Sequence, residues 1–212
     1  MNGVKLQTMT IDGSSRATGK HHGDLRQALM EAALEMVATG DENSLSLREV
    51  ARRAGVSPAA PYHHFADKEA LLAAVACEGF ERLAQALREA GKLARSPQTK
   101  LSRMAAEYVR FALAHHVHYR IMVSSSLGNA AAHPALHVAS MNAFMSLAEA
   151  VAAVGGKIPA LEVKRRAAFG WALAHGIVEL KLNGALTPLT EDDAEALAKH
   201  VGREVMRLAK GD

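Results

Sequence analysis

The sequence predicts an all-α protein, with an N-terminal three-helix helix-turn-helix head joined to a C-terminal helical bundle. Three observations carry this prediction. Apolar residues recur at three- and four-residue steps along most of the chain, the period of a helix buried on one face. Glycine and proline fall between these runs, and no segment alternates as a half-buried strand would. Alanine and leucine abound while aromatic residues make up only 4% of the 212 residues, which favours helix packing over sheet.

Residues 1–23 are poor in large apolar side chains and contain Gly13, Ser14, Ser15, Gly19 and Gly23. Such a segment buries too little surface to offset its ordering entropy, so a mobile tail is expected. Its Lys5, Arg16, Lys20, His21 and His22 would let it touch a phosphate backbone, although composition alone describes a plain leader. From Leu25 onward, Leu29, Ala32, Ala33, Met36 and Val37 line one helical face, and Gly40 ends it.

The stretch from Ser46 to Lys68, SLREVARRAGVSPAAPYHHFADK, has the chemistry of a helix, a tight turn and a second short helix. Ser46 with Glu49 makes a capping-box pattern ahead of Leu47, Val50, Ala51 and Ala54. Gly55 follows, where a left-handed backbone costs glycine least. Ser57 then stands as a cap for a second helix opening at Pro58, a position where the missing amide is not needed. Ala59 and Ala60 would let this helix approach base edges closely, while Tyr62, His63, His64 and Lys68 offer polar groups to phosphates and bases. An αα-hairpin packed for stability alone has the same punctuation. Arg48, Arg52, Arg53 and Lys68 oppose only Glu49 and Asp67 here. Like the net charge of +3, this small excess is compatible with nucleic acid without demanding it.

Leu47-Arg48-Glu49-Val50-Ala51, Ala54-Gly55-Val56-Ser57, Tyr62-x-His64-Phe65-x-Asp67-Lys68 and Leu71-Leu72 together resemble the DNA-binding domain of the tetracycline-repressor (TetR) family. The resemblance runs from about residue 25 to residue 72. It implies a cytoplasmic homodimeric regulator of transcription, in which a double-stranded DNA operator and a small-molecule effector compete for two conformations. On the matching positions it implies DNA contacts from Arg48, Ser57, Pro58, Ala59, Ala60, Tyr62, His63, His64 and Lys68, with Tyr62 and Lys68 on the backbone. Pro61 departs from the family pattern, which has a large apolar anchor before the tyrosine. As the fourth residue of a helix opening at Pro58 it would crowd the Ser57 carbonyl, so a distorted helix start is expected.

Beyond the head, Asp67 is a good cap for a long helix carrying Leu71, Leu72, Val75, Phe80, Leu83 and Leu87 toward Gly91. Ser96-Pro97 opens the next, with Leu101, Met104, Tyr108, Val109 and Phe111. Helical patterns follow from about Leu136 to Val154 and from Ala160 to Leu182, separated by Gly155, Gly156 and Pro159. Thr190 with Asp193 makes a second capping-box pattern before Ala194 to Leu208. The expected division is a tail over 1–23, a DNA-binding head over 24–70, and a ligand-binding and dimerisation body over 71–212.

In that body Trp171 and His175 lie one helical turn apart and can line a single surface, the imidazole giving one polar contact in an apolar wall. The segment Trp171-Ala-Leu-Ala-His175-Gly176 also resembles the tryptophan, histidine, glycine signature of one TetR subgroup. Tyr108, Phe111, Met122, Met141, Phe144 and Met145 are candidates for the remaining walls, although core packing explains each singly. Few charges punctuate these walls, so a small, largely apolar effector with one hydrogen-bonding group is expected. Leu173, Ile177 and Leu180, with Leu197, Val201, Val205 and Leu208, have the spacing of a helix-helix seam, and the family places its dimer interface in this region.

Other chemistries find little support. Among eleven histidines, His115, His116 and His118 diverge on a helix, and the i, i+4 pair His133 and His137 lacks a cysteine or carboxylate partner. No metal or cofactor is expected. Ser124 to Gly128 lacks a nucleophile elbow, and Gly155-Gly156-Lys157 lacks the full phosphate-loop pattern, so no enzyme activity is expected. The alternative, a helical small-molecule-binding or metal-dependent enzyme with a structural helix-turn-helix, rests on the bundle alone. Cys77 is the only cysteine; it excludes an intrachain disulfide and fits a reducing compartment. No membrane span and no signal-like segment is read from the sequence.

Overall fold

A computed structural model describes residues 22–40, 45–124, 127, 132–186 and 193–211. Most of the expected tail, and Thr190, lie outside the described residues. Among those described the chain is all-helical: α1 His22–Ala38, α2 Leu47–Arg53, a 3-10 turn Ala60–His63, α3 Lys68–Lys92, α4 Pro97–Ala114, α5 His116–Met122, α6 Pro134–Gly155, α7 Ala160–Leu182 and α8 Ala194–Lys210.

Side-chain caps fix most of the starts. Ser46, Asp67, Ser96 and Asp193 each accept a hydrogen bond from the backbone N–H three residues on, at 3.2, 2.7, 3.1 and 2.7 Å, satisfying a donor the helix leaves open. Asp193 is thus the cap of α8 itself, and not the third residue of a box begun at Thr190. Gly40 and Gly55 take φ of 81° and 69°, the left-handed turns that end α1 and α2.

Two elements depart from the sequence reading. No α-helix opens at Pro58; the chain makes a turn and then the short 3-10 segment, preceded by Ala59 without a side-chain cap. The Ala60 N–H donates to the Ser57 carbonyl at 3.0 Å, a three-residue closure. Pro61 has no N–H to continue an α ladder, so the tighter turn satisfies what it leaves. Pro61 is buried and fills the anchoring role with its ring. The second departure is α5, set off from α4 by His115 at φ −116°, ψ 41°. Neither glycine nor proline marks that break.

Leu29, Met30, Ala33 and Met36 of α1, Val50 of α2 and Leu71 of α3 are all but inaccessible and form the interior of the head. The Arg26 guanidinium lies over the Phe65 ring, 5.4 Å from its centroid, and pins α1 to the turn region. α3 continues unbroken into the body, where it packs on α4, α5 and α6; α8 packs mainly on α4 and α7. α6 is long and apolar enough to cross a membrane by length and composition. It nevertheless packs on α3, α4, α7 and α8, with Leu136, Ala139, Ala143, Ala148, Ala150 and Val151 buried.

Candidate functional site

The head presents a polar strip around the turn. Arg48 on α2, then Ser57, Pro58, Ala59, Tyr62, His63 and Lys68 are exposed, Ala60 is half-buried, and Tyr62 keeps 54% of its surface. Arg52 is held by Glu49 through Nε at 2.9 Å. His64 does not join the strip: its Nε2 is enclosed and its ring stands 6.4 Å from Phe65. His64 caps the C-terminal end of the 3-10 segment and is half-buried there.

In the body the structure brings Trp171 and His175 to two adjoining chambers. The inner one, about 320 Å³, lies between α3, α4, α6 and α7, with Leu83, Leu87, Met104, Tyr108, Phe144 and Leu147 in its wall. The outer one, about 420 Å³, is bounded by Met122, Val123, Leu136 and Ala172, and carries Ser124, His133, His137 and His175. Phe80, Ser140 and Trp171 belong to both. Among the described residues neither lining contains Asp, Glu, Lys or Arg.

A polar seam runs along this partition. The Trp171 indole N–H donates to the Tyr108 hydroxyl at 3.2 Å, and the Tyr119 hydroxyl and His175 Nδ1 are 2.5 Å apart. The two tyrosine rings meet edge to face at 6.2 Å, and their hydroxyls also interact. Burial is the main cause holding both phenol pKa values above their ordinary range, with the nearby Glu179 carboxylate adding to it, so both hydroxyls stay protonated. α4, α5 and α7 are thereby tied together at the chamber wall.

Of the expected wall residues, Trp171, His175, Tyr108, Met122, Met141 and Phe144 reach a chamber. Two do not. Phe111 is buried against His115, centroids 4.7 Å apart, and borders a separate charged groove; Met145 points outward from α6. The sequence reading missed the α3 contribution of Phe80, Leu83 and Leu87, although the apolar period there was plain, and the histidines at the start of α6. Cys77 is half-buried beside Glu81 and the Ala135 carbonyl, with burial pushing its thiol pKa up. No group of three metal-ligating side chains occurs among the described residues.

The expected helix-helix seam is also redrawn. Leu197, Val201 and Val205 are buried within the chain, against α4 and α7, and offer no surface to a partner. Leu173 and Ile177 are partly buried on the same core, and Leu208 is half-buried. Leu180 remains exposed and belongs to an outward stripe of α7 with Leu161, Phe169, Ala172 and Gly176, of which Phe169 shows 61% of its surface. A methyl group on Gly176 would meet no atom within 4 Å.

A helix-turn-helix head with an exposed polar strip, on a helical body holding half-open apolar chambers, is the architecture of a DNA-binding regulator. Comparison with known proteins agrees. Residues 29–75 match the family described as bacterial regulatory proteins, tetR family, and residues 101–204 match the tetracyclin repressor-like C-terminal domain. The chain belongs to the TetR family of transcriptional regulators. Over 77 residues it is 36% identical to the HTH-type transcriptional regulator BetI of Rhizobium meliloti (strain 1021), covering 36% of this chain and 38% of that protein. A protein of unknown function from Rhodococcus sp. RHA1 is 29% identical with a TM-score of 0.72, covering 90% of this chain and 97% of the other. The fatty acid degradation regulator FadR of Bacillus halodurans shares the fold at 18% identity and a TM-score of 0.70, covering 88% and 97%.

Proposed function

We propose that this protein is a cytoplasmic, ligand-responsive repressor, a homodimer that occupies a roughly palindromic DNA operator and leaves it when a small, largely apolar effector fills the chambers. The observation that carries this reading is α3. Its first turn, capped by Asp67, belongs to the head, and twelve to nineteen residues after Lys68 its Phe80, Leu83 and Leu87 form chamber wall. A molecule that binds one packing of α3 better than another therefore biases where the head stands. Two heads related by a two-fold axis would read major grooves about 34–36 Å apart, a spacing that only one head separation fits. Residues 24–70 serve as head and 71–212 as effector and dimer body on this reading, with α3 crossing the boundary.

The dimer face is the outward stripe of α7, because α8 spends its apolar side on its own chain and shows the solvent Lys199, His200, Arg203, Glu204 and Arg207. Ala172 and Gly176 allow a second α7 to approach closely, and Phe169 and Leu180 flank them. The deciding experiment is selection of bound sequences from random DNA, followed by a screen for small molecules that release the selected site. A palindromic consensus and a releasing compound support the reading; a protein that selects no sequence overturns it.

A further inference from the structure

The two chambers differ in chemistry, and the difference specifies the molecule that would fill both. The inner chamber has an almost wholly apolar wall of Leu83, Leu87, Met104, Phe144 and Leu147, whose few polar atoms are engaged: the Tyr108 hydroxyl accepts the Trp171 N–H. An uncompensated polar group placed there would lose its hydration without replacement. The outer chamber gathers three imidazoles, His133, His137 and His175, with the Ser124 and Ser140 hydroxyls at its edge. Among the described residues the ionisable side chains of that lining are these three imidazoles, with no carboxylate beside them. The start of α6 opens onto the same space, with His133 making no side-chain cap bond, so the positive end of the helix dipole adds to the imidazoles.

We propose, resting on the regulator reading above, that the effector is an amphiphile with one anionic head: its apolar body lies in the inner chamber and its head among His133, His137 and His175. A cation in the outer chamber would find no carboxylate. An uncharged head would leave the imidazole N–H donors without the anionic acceptor that gives the stronger hydrogen bond. The shared wall of Ser140 and Trp171 is the place where body passes into head.

Calorimetric titration of the full chain with decanoate, decan-1-ol and decyltrimethylammonium tests this, each kept below its aggregation concentration. Decanoate is expected to bind at least tenfold more tightly than decanol, and the ammonium compound more weakly than either. Shortening decanoate to octanoate should weaken binding several-fold per methylene, as burial of the chain requires. In the double variant His133→Ala, His137→Ala the preference for acid over alcohol should shrink to within about twofold. Equal affinity for decanoate and decanol, failure of all three probes to bind, or an acid preference that survives the double variant would each overturn the proposal. DNA selection reads the regulator function separately: operator release by another compound, with none of these probes binding, sinks the amphiphile and leaves the regulator standing.

Discussion

Gly202 of α8 lies against Ser102 of α4 so closely that a methyl group on its α-carbon would come within 2.5 Å of the Ser102 carbonyl oxygen. That oxygen is backbone and cannot swing aside, so the two helices must separate to admit any side chain. Gly202→Ala is expected to destabilise the protein by about 1–3 kcal/mol, the usual cost of overpacking, despite the better helix propensity of alanine. Gly176→Ala meets open space within its own chain and, compared in a monomeric background carrying Phe169→Asp, should leave the folded chain as stable or slightly more so. Urea unfolding of both variants checks the contrast, and equal effects would remove the close approach from the account of α8.

At the α7 stripe the expectation concerns assembly. Phe169→Asp should give a folded monomer with weakened operator binding, because the substitution charges an exposed face that lines neither chamber and leaves the core untouched. Val201→Asp, by contrast, buries a carboxylate and should unfold the chain at a cost of several kcal/mol. Sedimentation with circular dichroism separates the two outcomes. A dimer that persists in Phe169→Asp moves the interface elsewhere.

On the DNA strip, Tyr62→Phe and Lys68→Ala should weaken binding to all sequences, and Lys68→Ala, which removes a charge, should also lower the salt slope by about one unit. Ala59→Leu and His63→Ala should instead change which sequences are preferred, by about 1–3 kcal/mol per base pair affected. Titrations against selected and scrambled DNA at several salt concentrations distinguish these. Uniform, sequence-independent losses at all four positions would contradict the division.

His118 on α5 has its Nε2 enclosed without a hydrogen-bond partner. Burial is the chief cause holding its pKa below the usual 6.5, and Arg82 and His115 push the same way against Glu78. The unfolded chain therefore binds this proton more readily, and stability contributed by the neutral ring is present above about pH 6.5 and lost as pH falls through the lower folded value. His118→Leu should flatten the dependence of melting temperature on pH between about 5 and 7. An unchanged slope would mean the ring titrates freely in the native state.

Arg110 of α4 grips Glu195 of α8 with two hydrogen bonds at 2.7 and 2.9 Å. Hydrogen bonding to Arg110, helped by Lys199, brings the Glu195 carboxyl down to about 2 from 4.5. The sign is the same as for His118, in a more acid window: the contribution is whole above about pH 4.5 and disappears as pH approaches about 2. The melting-temperature gap between the wild type and Glu195→Gln should close over that interval, and should shrink in high salt because the pair is exposed.

How much of this was legible in the sequence follows from what periodicity encodes. The bounds of α7 were readable because Pro159 and the residues after Leu182 punctuate it. The break at His115 was not, because no residue there forbids a continuing helix. Pro58 looked like a helix start by every local rule, and only the second proline three residues on forced the 3-10 turn. The apolar stripe of α8 was visible, but a repeat of that kind states which face is buried, never whether the neighbour is the same chain or another. Met122 and Phe111 are both apolar and buried; whether such a side chain lines a chamber or a core depends on a gap between helices that no single helix records.

Trp171 is the chain's only tryptophan, and it stands in the partition shared by both chambers with its N–H on Tyr108. Excited at the long-wavelength edge where tyrosine does not absorb, the protein's near-ultraviolet emission therefore originates at one point, and that point is the doorway between the two chambers. The wavelength of that emission will report how wet the doorway is, and quenching by a water-soluble additive will report how open it stands. Occupancy can thus be followed in the unlabelled protein, on or off DNA, without attaching any dye to it.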